Sequence, residues 1–432
     1  MRCLHTSAEI HDEGHMSQAA FGISVYVAQI LRSQAGRVNG SRVLLLVGPG
    51  NNGGDALWAG GLLARRGVAV RALCVSAHCH DVGRERFIKA GGRFLSLQDI
   101  SSFNPDVVID GIFGIGLRRE LSDDVRAIIE TASQVGTMVA IDVPTGVNAD
   151  SGLVDLGCVH ADITLAVGTL KPGLLTGAGK QASGLVHVVP IDFEYPPTSA
   201  HVIDFADVQS TYGRASLMSH KYSRGVVLVH AGSAQYPGAG ALTVGGARAS
   251  GVGMVRFIGP AESQINVVYP DVVTSMDLAR TDAIAVGSGG AGTIQDLEEY
   301  LQADIPVVID AHALSLLQES RIPALLEERY QRGAITVVTP HEGEAKQMGF
   351  DEPHRIAQAV TIARELHSWV VLKGAGSVIA SPTGHFAIDQ FGTSALATAG
   401  SGDVLAGLLA GTLACMSRGK QINAGSSSAQ TS

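Results

Sequence analysis

The chain has 432 residues, 46% hydrophobic and 16% charged, which is enough for two or three domains with full cores. Its 31 basic and 40 acidic side chains give a formal charge of −9. With no Lys/Arg run, that balance excludes nucleic acid as the main partner. Residues 1–20 carry Glu9, Asp12, Glu13 and histidines where a signal peptide would be apolar, and the longest apolar runs are too short or too glycine-rich to span a membrane. Five scattered cysteines suit a reducing compartment. These features predict a cytoplasmic α/β protein without a membrane partner.

Taken in order, residues 42–47 form a short apolar run of the kind buried in a parallel sheet. A glycine-rich turn at 48–55 follows, then a helical pattern over 56–66. Strand, glycine turn and helix together open a doubly wound fold, where ligands bind at strand ends. Further strands are predicted at 69–75, 107–109 and 138–141, the last two running into loops that begin at Asp110 and Asp142. The loops bearing Asn51, Asn52 and Asp55, then Asp110, then Asp142 and Thr145, converge on one crevice, and their oxygens suit a hard cation. Cys74, His78, Cys79, His80 and Asp81 imitate a zinc cluster, but no second ligand pair stands at a matching spacing.

The paired prolines within 192–200 break the rhythm and mark the expected joint between domains 1–195 and 196–420. Beyond it, strands are predicted at 226–230, 283–286, 307–309 and 335–338. Residues 287–292 spell G-x-G-x-x-G, and Asp310 ends the next strand, imitating a dinucleotide fingerprint. The imitation is weak, because several strands precede it and a glycine turn serving a phosphorylated substrate explains it equally well. A strand near 370–372 delivers Lys373 and its glycines to a site suited to nucleotide phosphate. Finally, Gly400-Ser-Gly-Asp403 leads into a helix over 404–416 whose start offers free N–H groups to an anion, with the Asp403 carboxylate beside it. A carboxylate there suits taking a proton from a hydroxyl that attacks phosphorus. A serine-rich stretch, 421–432, is expected to be disordered.

In order, these motifs resemble a known family. Asn51-Asn-Gly-Gly-Asp55, Asp110-x-x-Phe-Gly-x-Gly116, Asp142-x-Pro-Thr-Gly146 and Lys171-Pro-Gly173 resemble the NAD(P)H-hydrate epimerase domain, which is Rossmann-like. Tyr236-Pro-Gly-Ala239, Thr339-Pro-His-x-Gly-Glu344, Leu372-Lys-Gly-Ala-Gly-Ser377 and Gly400-Ser-Gly-Asp403 resemble the ribokinase-like NAD(P)H-hydrate dehydratase domain. Eight motifs in family order point to the bifunctional, YjeF-type repair enzymes, whose epimerase interconverts R and S hydrates of NADH and NADPH. Their dehydratase restores the S form at the expense of ADP or ATP.

The resemblance implies substrates NADHX and NADPHX, ADP or ATP with Mg2+, a potassium ion, and a homo-oligomer. It implies potassium at Asn52, Asp110 and Thr145, and the hydrate at Asn51, Asn52, Gly53, Gly54, Asp55, Gly114, Ile115, Gly116, Leu117, Arg118, Arg119 and Glu120. Asp142 lies with the hydrate as the candidate for proton handling. In the second domain it implies the hydrate at Ala239, Gly292 and His341, the nucleotide at Lys373, Gly374, Ala375, Gly376, Ser377 and Gly402, and Asp403 as base. Against the family pattern, residues 1–40 are short, with only an echo of its leading helix at Met16–Ala20. The chain also stops soon after the Asp403 helix, which predicts weaker nucleotide affinity or stability. The alternatives are a ribokinase-like small-molecule kinase, which needs no Asn-Asn-Gly-Gly-Asp domain, and a nucleotide-binding protein without turnover.

Overall fold

The computed structural model describes residues 2–3, 13–116, 120–194, 198–211, 217–319 and 321–428. The chain divides into two compact units, Arg2–Val202 and Ile203–Ser432. The division falls in the short strand Ala200–Ile203, a little beyond the expected joint, whose Tyr195, Pro196 and Pro197 lie outside the described residues.

The first unit is built on β1 (Arg42–Val47), β2 (Ala69–Cys74), β3 (Arg93–Phe94), β4 (Val107–Gly111), β5 (Thr137–Ile141), β6 (Ile163–Val167) and β7 (Leu185–Val189). They form a seven-stranded sheet in the order β3-β2-β1-β4-β5-β6-β7, every pair parallel. The order reverses between β1 and β4, so a crevice opens at their C-terminal ends. Val43, Leu45 and Val47 pack on one face while Leu44 and Leu46 pack on the other, so β1 is apolar from Val43 onward, as a strand covered on both sides must be.

Helix Glu13–Ala35 covers the first of those faces, burying Ala20, Ile23, Val27 and Leu31 at helical spacing. This corrects the expectation that 1–40 holds only an echo of such a segment. Its apolar stripe is interleaved with Gln18, Ser24 and Gln29, which hides it from a search for a continuous run. A second correction concerns the Asn-Asn-Gly-Gly-Asp motif. It is not a loop before a helix at 56 but the first turns of helix Asn51–Arg65. Its glycines mark close approach instead of a turn: a Cβ at Gly53 would lie 2.1 Å from the Gly48 carbonyl oxygen.

The second unit carries β8 (Val226–His230), β9 (Met254–Ile258), β10 (Ala283–Val286), β11 (Val307–Ile309), β12 (Thr336–Val338), β13 (Trp369–Leu372), β14 (Val378–Ala380) and β15 (Phe386–Asp389). Their order is β9-β8-β10-β11-β12-β13-β14-β15, parallel through β13 and antiparallel beyond it. Helices Pro237–Ala249 and Ser401–Ser428 contribute Val244, Ala247, Ala406, Ala410 and Ala414 to the core beside Val227 and Val229.

Those two helices touch backbone to backbone, since a Cβ at Gly246 would lie 2.1 Å from the Val404 carbonyl oxygen and one at Gly407 1.9 Å from that of Thr243. The helix from Ser401 is longer than expected, so the stretch from 421, predicted to be disordered, is helical to Ser428, and 429–432 lie outside the described residues. No proline interrupts 401–428, and a helix already fixed by packing propagates at low cost.

Candidate functional sites

In the first unit, parallel pairing of β1 with β4 and β4 with β5 brings the start of helix Asn51–Arg65 and the ends of β4 and β5 to one place. Asp110 lies on β4 itself and is wholly buried. Its Oδ1 accepts from the Thr145 hydroxyl at 2.8 Å and the Ile112 amide at 3.1 Å, and its Oδ2 from the Thr145 amide at 2.8 Å. Burial pushes the Asp110 carboxyl up to about 6, against the opposing pull of those Thr145 and Ile112 bonds. Thr145 also receives the Phe113 amide at 3.0 Å. Among the described residues Asn52 Nδ2 is buried with no hydrogen-bond partner, while Asn52 Oδ1 lies on the Gly114 side. The Asp110 carboxylate, the Thr145 hydroxyl and the Asn52 carbonyl oxygen are the oxygens that could hold a monovalent cation, which would compensate the carboxylate's lost hydration.

Asp142 stands at the head of the neighbouring turn with φ +65°. Its Oδ1 takes the Lys171 ammonium and the Val167 amide (3.1 Å). Gly114 faces this group: a Cβ there would lie 3.5 Å from Asn52 Oδ1 and 3.6 Å from Asp142 Oδ2. Asp55 is nearby, its carboxyl held well above the ordinary range by burial and then by the Asp142 charge. Asn52, Asp55, Asp110, Gly114, Asp142 and Thr145 are thus brought together as the sequence suggests. Leu117, Arg118 and Arg119 lie outside the described residues, and Glu120 is exposed. Lys171, quoted only as part of a motif, is the side chain that sequence reasoning passed over. His80 of the imitation zinc cluster has a structural role, accepting the Gly83 amide through Nδ1 at 3.1 Å as the cap of helix Asp81–Lys89.

In the second unit the hub is Asp310, which is 2% exposed at the end of β11. Its Oδ1 accepts from Lys373 Nζ at 2.8 Å and the Thr339 hydroxyl at 2.7 Å, and its Oδ2 from the Ser288 hydroxyl at 3.1 Å. The Ser288 hydroxyl also lies close enough to Asp403 to favour its ionised form. The Asp403 carboxyl is raised by burial and then by the Asp310 charge, partly offset by Ser288 and Lys373. Asp310 therefore serves no dinucleotide ribose. It ties the glycine turn to the lysine and biases the carboxylate at the helix start.

Gly287, Gly289, Gly290 and Gly292 all have positive φ. Gly289, not Gly292, lies beside Ala239: a Cβ at Gly289 would meet Ala239 Cβ at 2.4 Å, while Gly290 faces Ser233 and Gly292 faces Val286. His341 caps helix Glu342–Gln347, its Nδ1 accepting the Glu344 amide at 3.1 Å, while its Nε2 lies 3.6 Å from Glu344 Oε2. Glu344 Oε2 lies 3.6 Å from Lys373 Nζ. Gly374 has φ +147°, and Gly376 has φ +65°. Lys373 Nζ would sit 3.3 Å from a Cβ at Gly402, so the lysine, the loop after it and the first turn at Ser401 face one space. In that turn the Ser401 N–H donates to the Thr398 carbonyl at 3.3 Å and the Val404 N–H to the Gly400 carbonyl at 3.1 Å, so those of Gly402 and Asp403 are the ones open to an anion.

Two parallel α/β units, each with its polar residues at strand ends, define a two-site enzyme of the doubly wound and ribokinase-like kinds. The family described as NAD(P)H-hydrate dehydratase matches residues 227–432, and that described as YjeF-related protein N-terminus matches residues 15–173. The bifunctional NAD(P)H-hydrate repair enzyme Nnr of Mycobacterium leprae is 35% identical over 418 residues, covering 94% of this chain and 86% of the relative. Its Mycobacterium tuberculosis counterpart is 36% identical over 421 residues with the same coverage. A crystal structure of the ADP/ATP-dependent NAD(P)H-hydrate dehydratase from Bacillus subtilis, co-crystallised with ATP and Mg2+, is 31% identical. It has TM-score 0.44 and covers 50% of this chain and 81% of that one. The chain belongs to the family of bifunctional NAD(P)H-hydrate repair enzymes. Among the described residues no helix is long and apolar enough to cross a membrane.

Proposed function

We propose that this chain repairs hydrated NADH and NADPH at two sites, an epimerase crevice in the first unit and a nucleotide-dependent dehydratase in the second. The observation that carries the second site is the chain of contacts Asp403–Ser288–Asp310–Lys373. It sets a base of raised pKa and a fixed ammonium around a space lined by helix N–H groups. In this reading Lys373, Gly374, Ala375, Gly376, Ser377 and Gly402 hold the phosphates of ADP or ATP, while Ala239, His341 and the glycine turn hold the hydrate.

Hydroxide is a poor leaving group, so the ring hydroxyl is first phosphorylated. Its oxygen attacks the terminal phosphorus, its proton passes to Asp403, and the shortened nucleotide departs. Phosphate then leaves with its C–O bond pair while the adjacent ring carbon loses a proton, which restores the double bond. Among the described residues no group of three His, Cys, Asp or Glu side chains gathers as a metal cage. Mg2+ would accordingly arrive with the phosphates and neutralise their charge.

In the first unit, Asn52, Asp110 and Thr145 would hold potassium, which supplies positive charge beside the bound hydrate. The segments 51–55 and 114–120 would hold the hydrate, and Asp142 would exchange the proton in epimerisation. The test is to incubate the full chain with an R/S mixture of NADHX, with ADP or ATP. Recovery of NADH from both epimers supports the reading, and binding of nucleotide without any recovery overturns it.

A further inference from the structure

We propose that Lys171 is a positioning residue of the epimerase site. It fixes Asp142 so that a single carboxylate oxygen, Oδ2, is presented to the hydrate. This inference rests on the epimerase reading above.

The lysine is 5% exposed, a rare state for an ammonium that has no task to justify its lost hydration. Its Nζ reaches back to the Val167 carbonyl at 2.7 Å, which anchors it to the end of β6. From that anchor it grips Asp142 Oδ1, and the Val167 amide donates to the same oxygen at 3.1 Å. Val167 thus binds both members of the pair, the lysine through its C=O and the aspartate through its N–H.

On the aspartate side, the backbone at φ +65° is one that a non-glycine residue adopts only where its surroundings enforce it. Among the described residues no bond of the same kind holds Oδ2, which faces Gly114 across the 3.6 Å that a Cβ would leave. The two oxygens are therefore unequal: one is locked, and the other is turned to the crevice where Asn52, Asp55 and Asp110 meet. Lys171 bonds to Oδ1 and to the Val167 carbonyl, not to Oδ2. Glycine at 114 puts no side chain between Oδ2 and Asn52 on that side. A carboxylate that did not have to be held in one orientation would need neither the strained turn nor the buried cation.

The experiment follows R/S interconversion of NADHX by chromatography in the full chain without nucleotide, so that dehydration is silent. Wild type is compared with Lys171→Met and Lys171→Arg. Interconversion by wild type tests the epimerase reading itself, and its absence sinks that reading before Lys171 is at issue. Given a working wild type, the expected result for Lys171→Met is a kcat reduced about a hundredfold with KM within about threefold. Dehydration of the S hydrate, measured with nucleotide, should be unchanged. Lys171→Arg should recover at least about tenfold over Met, because it restores a cation in the same direction.

A Lys171→Met kcat within about threefold of wild type overturns the proposal, as does a loss confined to KM, which would make Lys171 a direct substrate ligand. Should Lys171→Met fail to fold, Asp142→Asn/Lys171→Met removes both charges and leaves none buried alone. Its kcat should then match that of Asp142→Asn, and a further tenfold loss in the double variant overturns the proposal.

Discussion

Asp403 carries the consequence most open to a pH measurement. A base must be ionised to accept a proton, and burial together with Asp310 raises the Asp403 carboxyl. Dehydration should therefore fail on the acid side at a pH above the ~3.9 of an ordinary aspartate. Asp310→Asn removes one of the raising influences and frees Lys373, which lowers Asp403. Both effects have the same sign, so the acid limb of kcat should move to lower pH, and an unmoved or upward-moved limb contradicts this electrostatic account. Asp403→Asn should cut dehydration by about 10²–10⁴-fold while nucleotide binding, read by calorimetry, persists.

In the first unit, replacing potassium by a bulky organic cation should slow epimerisation and spare dehydration. Asp110→Asn should remove that dependence, and a potassium response that survives in Asp110→Asn would place the ion elsewhere. Asp110 and Asp142 were visible in the sequence because each ends an apolar run. Asp310 was visible only as part of an imitated fingerprint, and no role was read for it: its partners Thr339 and Lys373 lie 29 and 63 residues away, beyond any local pattern. Lys171 was hidden for the same reason, 29 residues from the carboxylate it grips.

Elements place these side chains, and the decisive one is the helix Ser401–Ser428 packed on Pro237–Ala249. Because Gly407 would drive a Cβ to 1.9 Å from the Thr243 carbonyl oxygen, Gly407→Ala must push the Asp403 helix outward. The expected cost is about 1–3 kcal/mol of stability in the second unit. Dehydration should fall more steeply than stability, because Asp403 and Gly402 ride on the displaced helix. Thermal melting and activity of the same preparation check this, and wild-type values for both would refute the close-packed arrangement.

Strands 42–47, 226–230, 283–286 and 307–309 were legible to the residue, because short apolar runs stopped by glycine, proline or aspartate leave little choice. Helix starts were not. At 51–55 and 401–403 the small residues that allow close approach are the ones that suggest a loop, and only the neighbour they approach distinguishes the two. The leading helix escaped because its buried positions are mostly small or polar-interrupted.

For the whole molecule, two units with separate cores and separate sites predict separable chemistry. Asp403→Asn should leave R/S interconversion at the wild-type rate, and Asp142→Asn should leave dehydration of pure S hydrate intact. Loss of both activities from either substitution would contradict two independent sites. The central claim is that one chain performs both steps, and its most direct test is the reduced-nicotinamide absorbance recovered when wild type meets an R/S mixture of NADHX with ADP or ATP and potassium. The account predicts recovery of all the cofactor, with Asp142→Asn stopping near the S share. Equal, complete recovery by Asp142→Asn, or none by wild type with nucleotide bound, would contradict it.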